Sequence, residues 1–230
     1  MNLHNPICVA LDTPEISRAQ DLVRMLKGHV GMVKIGMEFF YAHGPQGYEA
    51  VAALGVPVFL DLKLHDIPNT VASALTSLLR LSPLPAVINI HASGGSDMMM
   101  AARDAVEGRC KLIAVTVLTS LSNSDIEAVG FARSSEEQAL LLARLTHDAG
   151  LDGIVCSALD LAKVRAELPG KFLTVVPGIR PAESSTQDQK RVMTPKQAIT
   201  AGADILVIGR PITGATDPAR AARDILASVA

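Results

Sequence analysis

Eight short apolar runs recur along this 230-residue chain, most of them followed by an amphipathic segment, and no other feature of the sequence restricts its fold so sharply. The runs are ICVALD (7–12), MVKIGM (32–37), VPVFLDLK (56–63), AVINIHA (86–92), LIAVTVLT (112–119), GIVCSA (153–158), FLTVVPG (172–178) and DILVIGR (204–210). They are apolar at successive rather than alternate positions, the pattern of parallel strands buried on both faces. Between them lie segments such as SRAQDLVRMLKG, NTVASALTSLLRL, GSDMMMAARDAVEG, SSEEQALLLARLTHDAG, LDLAKVRAELPG and TPKQAITAGA. Several of these open with Ser, Thr or Asp and close near Gly, as helix capping favours. No linker, composition shift or low-complexity stretch interrupts the series. The pattern predicts a single (β/α)8 TIM barrel of the α/β class over residues 1–230. A doubly wound sheet would bury similar strands but has no need of so regular a count.

Such a barrel needs a large apolar core, and 49% of the residues are hydrophobic with no Trp and few aromatics, so aliphatic side chains must fill it. A formal net charge of −2 leaves no broad electrostatic footprint for nucleic acid or an anionic membrane; any anion must be held locally. Cys8, Cys110 and Cys156 form no C-x-x-C pair, and Cys8 and Cys156 lie within apolar runs. Reduced, buried thiols in a cytoplasmic protein are the expectation. MNLHNPICVALD lacks a basic segment followed by a long apolar stretch and a cleavage site, and no apolar run approaches membrane-spanning length, so the chain is expected to be neither exported nor inserted.

A barrel carries its chemistry at the C-terminal ends of its strands and in the loops beyond them. There the sequence places Asp12, Lys34, Asp61 with Lys63, His91, Thr119, Ser157, the turn PGIR (177–180) and GRP (209–211). Asp61 and Lys63, two apart on a strand, share a side, and Lys34 on the preceding strand can reach the same place. An unpaired lysine inside a closed barrel would be costly, so Lys34, Asp61 and Lys63 read as charges compensating one another around a site. Other polar positions have plainer readings. Asp66, ahead of Pro68, suits a helix cap as well as a site; His91 alone is more often a structural histidine; MMM (98–100) is helix packing; TPKQA (194–198) is a helix start. Gly209 with Arg210 suits a phosphate, because the glycine permits close backbone approach and loops after strands seven and eight are where barrels usually grip one.

FLDLKLHDIPNT resembles the D-x-K-x-x-D signature of the orotidine 5′-monophosphate decarboxylase family, and the resemblance extends along the chain through VALD, VKIG, NIHASGG, AVTVLTS, VVPGIRP, DQKRVMTP and VIGRP in the family's order. It implies a homodimeric barrel, free of metal and organic cofactor, that converts orotidine 5′-monophosphate to UMP and carbon dioxide in the last step of de novo pyrimidine synthesis. It further implies that Asp61 faces the departing carboxylate, that Lys63 protonates C6, and that Lys34 and Asp66 complete an alternating array. Asp66 and Thr70 are expected to reach the partner subunit's site. Asp12 and Lys34 would bind ribose hydroxyls, Thr119 would lie by the pyrimidine, and Gln189, Gly209 and Arg210, with Arg180 near, would hold the phosphate. A magnesium-dependent sugar-phosphate relative shares D-x-K-x-x-D but carries a metal-binding Glu where this chain has Lys34. A ligand sensor that had lost catalysis would be expected to lose the charged cluster, which is intact here.

Overall fold

The structure, a computed structural model, describes residues 5–168, 170–181 and 193–229. Eight strands run Ile7–Ala10 (β1), Met32–Gly36 (β2), Val58–Leu64 (β3), Val87–His91 (β4), Lys111–Val115 (β5), Gly153–Val155 (β6), Leu173–Val176 (β7) and Ile205–Ile208 (β8). They are parallel and close in chain order, β1 pairing with β2 through Cys8 and Met32 and with β8 through Cys8 and Val207. The expected eight-stranded α/β barrel is therefore present. Closure leaves no strand edge, and that is why runs so apolar stay out of solvent.

Helices Ile16–Leu26 (α1), Met37–Ala52 (α2), Pro68–Leu78 (α3), Ser96–Val106 (α4), Asn123–Ala128 (α5), Ser135–Asp148 (α6), Leu161–Glu167 (α7), Pro195–Thr200 (α8), Arg210–Thr213 (α9) and Pro218–Ala227 (α10) form the outer layer. The expected capping chemistry recurs: Ser134 and Glu137 close a capping box on α6, and Thr194 and Gln197 close one on α8. The helix α2 is not evident in the sequence pattern, because Gly44 and Pro45 kink it and break its apolar period. All three cysteines are buried and outside any disulfide, and burial pushes the Cys8 thiol up to about 12. Among the described residues no helix is long and apolar enough to cross a membrane.

The N-terminal rim of the barrel is fastened by side chains that accept strand N–H groups. Asn5 Oδ1 accepts from Ile7, Asp152 Oδ2 from Leu112 and Asp204 Oδ2 from Thr174, at 2.7–3.0 Å. Arg165, on α7, ties this rim together. Its guanidinium donates to the carbonyls of Phe172 and Gly202 at 2.7 and 2.9 Å, and reaches Thr174 Oγ1 at 2.8 Å and Asp204 Oδ2 at 2.5 Å. A planar, fixed fork matches so many acceptors where a lysine could not. Because this network lies at the end of the barrel away from the chemistry, Arg165→Ala should lower stability by about 2–3 kcal/mol, measured by urea unfolding, and leave turnover unchanged.

Candidate active site

Alternation along the strands sends Cys8, Met32, Phe59, Val87, Ile113, Val175 and Val207 into the barrel, where they pack as one buried cluster. The next inward positions toward the C-terminal rim are Lys34 on β2, Asp61 on β3 and Asn89 on β4. Charges therefore sit on an apolar floor, and each must be compensated by its neighbours. Lys34 Nζ stands 3.2 Å from Asp61 Oδ2 and 3.3 Å from Asp12 Oδ1, in the loop just past β1. Lys63 Nζ donates to Asp61 Oδ1 at 2.7 Å, and Asn89 Nδ2 donates to the same oxygen at 2.7 Å. The side chains of Lys34 and Asp61 retain only 12% and 11% exposure, so the ion pair between them is nearly desolvated.

The electrostatics follow from that geometry. Burial pushes the Asp61 carboxyl up, but the Lys34 and Lys63 ammonium groups and the hydrogen bonds from Lys63 and Asn89 outweigh it and hold the carboxyl below its ordinary range. Burial pushes Lys34 down, but the carboxylates of Asp61 and Asp12 leave it above the ordinary lysine value. His91, inward-facing at the end of β4, is pushed down by burial, then by His65 and Lys63, with Asp61 opposing; its ring lies 5.5 Å from that of His65. Crowding around the lysine is tight: a Cβ added to Gly36 would stand 3.1 Å from Lys34 Nζ.

Asp61 and Lys63 meet as their spacing predicts, yet by a different local route. The ladder to β4 slips between Leu60 and Leu64, and Lys63 takes a left-handed backbone with φ +52°. Asn89 was not singled out from the sequence, although it interrupts the apolar run AVINIHA at an inward position. A cavity of about 160 Å³ opens over the cluster, lined by Lys34, Asp61, Lys63, Thr119, Pro177 and Val207 among others. A larger cleft of about 420 Å³ lies against α8, α9 and α10, with an apolar lining and no comparable array of charges. Chemistry rather than volume distinguishes the smaller cavity as the site.

The remaining expected residues fall in several places. Asp66 and Thr70 are exposed beyond β3 and do not line the cavity. Asp66 does not cap α3 in the usual way: Ile67 holds the cap position without a side-chain bond, and Asp66 Oδ1 accepts from the N–H of Ile67 at 2.7 Å. Gly209 faces Asp12, whose Oδ2 would lie 3.6 Å from an added Cβ, and Arg210 is exposed at the start of α9. Arg180 is buried after β7, with Nη1 donating to the Ile179 carbonyl at 3.0 Å. Gln189 lies outside the described residues.

Lys34, Asp61 and Lys63 gathered at the C-terminal mouth of a closed parallel barrel define a charged-mouth TIM-barrel enzyme, the class that the sequence resemblance implies. The Orotidine 5′-phosphate decarboxylase / HUMPS family matches residues 5–225, and the chain belongs to that family. The orotidine 5′-phosphate decarboxylase of Erythrobacter litoralis is 51% identical over 227 residues, covering 99% of this chain and 100% of the relative. That of Rhodospirillum rubrum is 50% identical over 234 residues, covering 98% and 94%. A solved orotidine 5′-phosphate decarboxylase from Lactobacillus acidophilus superposes with a TM-score of 0.86 at 36% identity, covering 98% of this chain and 99% of that one.

The charge cluster sets a pH signature. The folded Asp61 pKa is lowered, so its contribution to stability is present above the unfolded value, about 3.9, and is lost as pH falls through the folded value. The folded Lys34 pKa is raised, so its contribution is full below the unfolded value, about 10.4, and is lost as pH rises through the folded value. Asp61→Asn leaves two ammonium groups facing each other with no carboxylate between. It should cost about 3–5 kcal/mol at pH 7 and flatten the decline of stability below about pH 4, both read from urea unfolding across pH.

Proposed function

We propose that the chain decarboxylates orotidine 5′-phosphate to UMP in pyrimidine biosynthesis, with Lys63 as the proton donor. The observation that carries the reading is the Lys34–Asp61–Lys63 array held above an apolar floor. The bond from C6 to the carboxylate carbon breaks, carbon dioxide leaves, and the electron pair remains at C6. The Lys63 ammonium stabilises that developing charge and then transfers a proton from Nζ to C6; solvent returns the proton to the amine afterwards. Asp61 faces the departing carboxylate and fixes both lysines. Fixed dipoles and charges in a site closed to water need no reorganisation as the charge develops, which is why their placement matters more than their number.

Asp12 and Lys34 bind the ribose, Thr119 lies by the pyrimidine, and Gly209, Arg210 and Gln189, with Arg180 near, hold the phosphate. Binding energy gathered at that remote phosphate lowers the barrier when it is realised only on closure. Residues 1–230 form one catalytic domain of a cytoplasmic homodimer, and Asp66 and Thr70 serve the neighbouring subunit. In support, Ile67 between them is 66% exposed, an apolar side chain that a two-fold contact would cover. The magnesium-dependent chemistry of the sugar-phosphate branch is disfavoured because Lys34 Nζ lies between Asp12 and Asp61, the place between carboxylates that a cation would take.

Purified protein kept with chelator should consume orotidine 5′-phosphate, followed by absorbance; activity that needs added magnesium would favour the sugar-phosphate branch instead. Lys63→Ala should lower kcat by about 10²–10⁴-fold or more while UMP still binds, and Arg210→Ala should chiefly raise KM, by roughly 10–100-fold, through loss of a charge-assisted phosphate contact.

The shared site has its own test. Lys63→Ala and Asp66→Ala chains, each nearly inactive alone, are mixed under conditions of subunit exchange. About half of the dimers become mixed, and one site in each combines an intact Lys63 with an intact Asp66, so activity should return toward roughly a quarter of all sites. If exchange is demonstrated and no activity returns, Asp66 does not serve the partner.

A further inference from the structure

Three residues of β3 stand opposite one residue of β4. The register pairs Leu60 with Ile88 and Leu64 with Ile90, which leaves Asp61, Leu62 and Lys63 facing Asn89 alone. Such an excess bends the strand and strips extra residues of their ladder partners. Here the bend contains the reacting lysine, in a left-handed conformation that is uncommon for a lysine and persists only where its surroundings impose it.

Asn89 supplies that imposition. It is fully buried, and its Oδ1 accepts the backbone N–H of Lys63 at 2.8 Å while its Nδ2 donates to Asp61 Oδ1 at 2.7 Å. The two partners fix which way the amide points, since an N–H must meet the oxygen and a carboxylate must meet the nitrogen. A short amide is the one side chain of this size that can do both at once: Asp offers only acceptors when ionised, and Ser has a single shorter hydroxyl. The ammonium of Lys63 grips the same carboxylate oxygen, so backbone N–H, amide, carboxylate and ammonium close a ring through one residue of β4.

We propose that Asn89 is a positioning residue for the decarboxylation, clamping the bend of β3 so that Lys63 Nζ and Asp61 hold their mutual geometry through the reaction. The inference rests on the functional reading above. Asn89 itself touches neither the phosphate nor the ribose residues, which come from other strands, so its loss should fall on the chemical step. Asp61 is faced by Lys34 from β2, Lys63 from β3, Asn89 and His91 from β4 and Cys8 from β1, and the Asn89 donor is one of the groups that hold its carboxyl low.

The test is steady-state kinetics of Asn89→Ala across pH, with ¹³C NMR titration of the Asp61 carboxyl in the ligand-free protein. Expected are a kcat lower by about 10–100-fold, a KM within about threefold, and an acid limb of kcat moved upward by about one to two pH units, the effect of one lost hydrogen bond to a charged group. A merely structural amide would lower the unfolding midpoint but leave kcat per folded enzyme and the acid limb in place, and that outcome overturns the proposal. Should Asn89→Ala fail to fold, the isosteric Asn89→Asp gives the same readings. It keeps the acceptor for Lys63 but sets a second carboxyl against Asp61, so kcat should fall and the acid limb should rise; a variant retaining both parental values overturns the clamp. If the parent protein does not decarboxylate orotidine 5′-phosphate, the functional reading fails by itself. The titration of Asn89→Ala then decides, since that variant adds no new charge: an unmoved Asp61 midpoint overturns the clamp, and a raised one upholds the Asn89 grip on Asp61.

Discussion

The structure turns on a single carboxylate, Asp61, held between two ammonium groups over an apolar floor. With Asp12 it compensates the buried Lys34 ammonium, and the two lysines together with Asn89 hold it ionised against the cost of its own burial. Removing water from such a group is costly, and the cost is offset only because each oxygen of the carboxylate is occupied: one by Lys34, the other by Lys63 and Asn89. The barrel makes this arrangement attainable. Its neighbouring parallel strands bring β2, β3 and β4 side by side, so three residues distant in sequence meet without any loop having to be ordered for the purpose.

The two ends of the barrel put polar side chains to opposite uses. At the N-terminal rim, Asn5, Asp152, Asp204 and Arg165 spend their hydrogen bonds on backbone groups and one another, closing the strands into a ring. At the C-terminal rim, Lys34, Asp61 and Lys63 bond chiefly among themselves and line a cavity. The first set rigidifies the frame; the second is left with an open face toward whatever enters. The precision of the second set depends on the stiffness supplied by the first, since a site built on strands inherits their fixed spacing.

Much of this was legible in the residues themselves. Continuous apolar runs at regular intervals announced parallel strands and their count, and the barrel then fixed which ends would carry chemistry, so Lys34, Asp61 and Lys63 could be grouped before any coordinates. The kinked α2 was hidden because Gly44 and Pro45 interrupt its period, and a periodic signal is what reveals a helix. The slip of β3 against β4 was hidden for a deeper reason: a two-residue excess conserves alternation on either side, so the sequence reads as an ordinary strand through the bend. Asn89 carries no signal of its role for the same reason, although its amide fills the gap with both a donor and an acceptor. Asp66 and Thr70 are exposed, and nothing local in a single chain distinguishes them from other surface residues.

The left-handed backbone at Lys63 also acts as a filter on what this site could become. A β-branched residue placed there would meet its own carbonyl oxygen, so Val, Ile and Thr carry a conformational penalty before their chemistry is considered at all. Glycine and asparagine enter freely but bring no cation. The set of side chains that a lineage or a designer can try at position 63 is thus narrowed by a torsion angle, and a new activity on this frame is reached more easily by changing the loops around Lys63 than by replacing it.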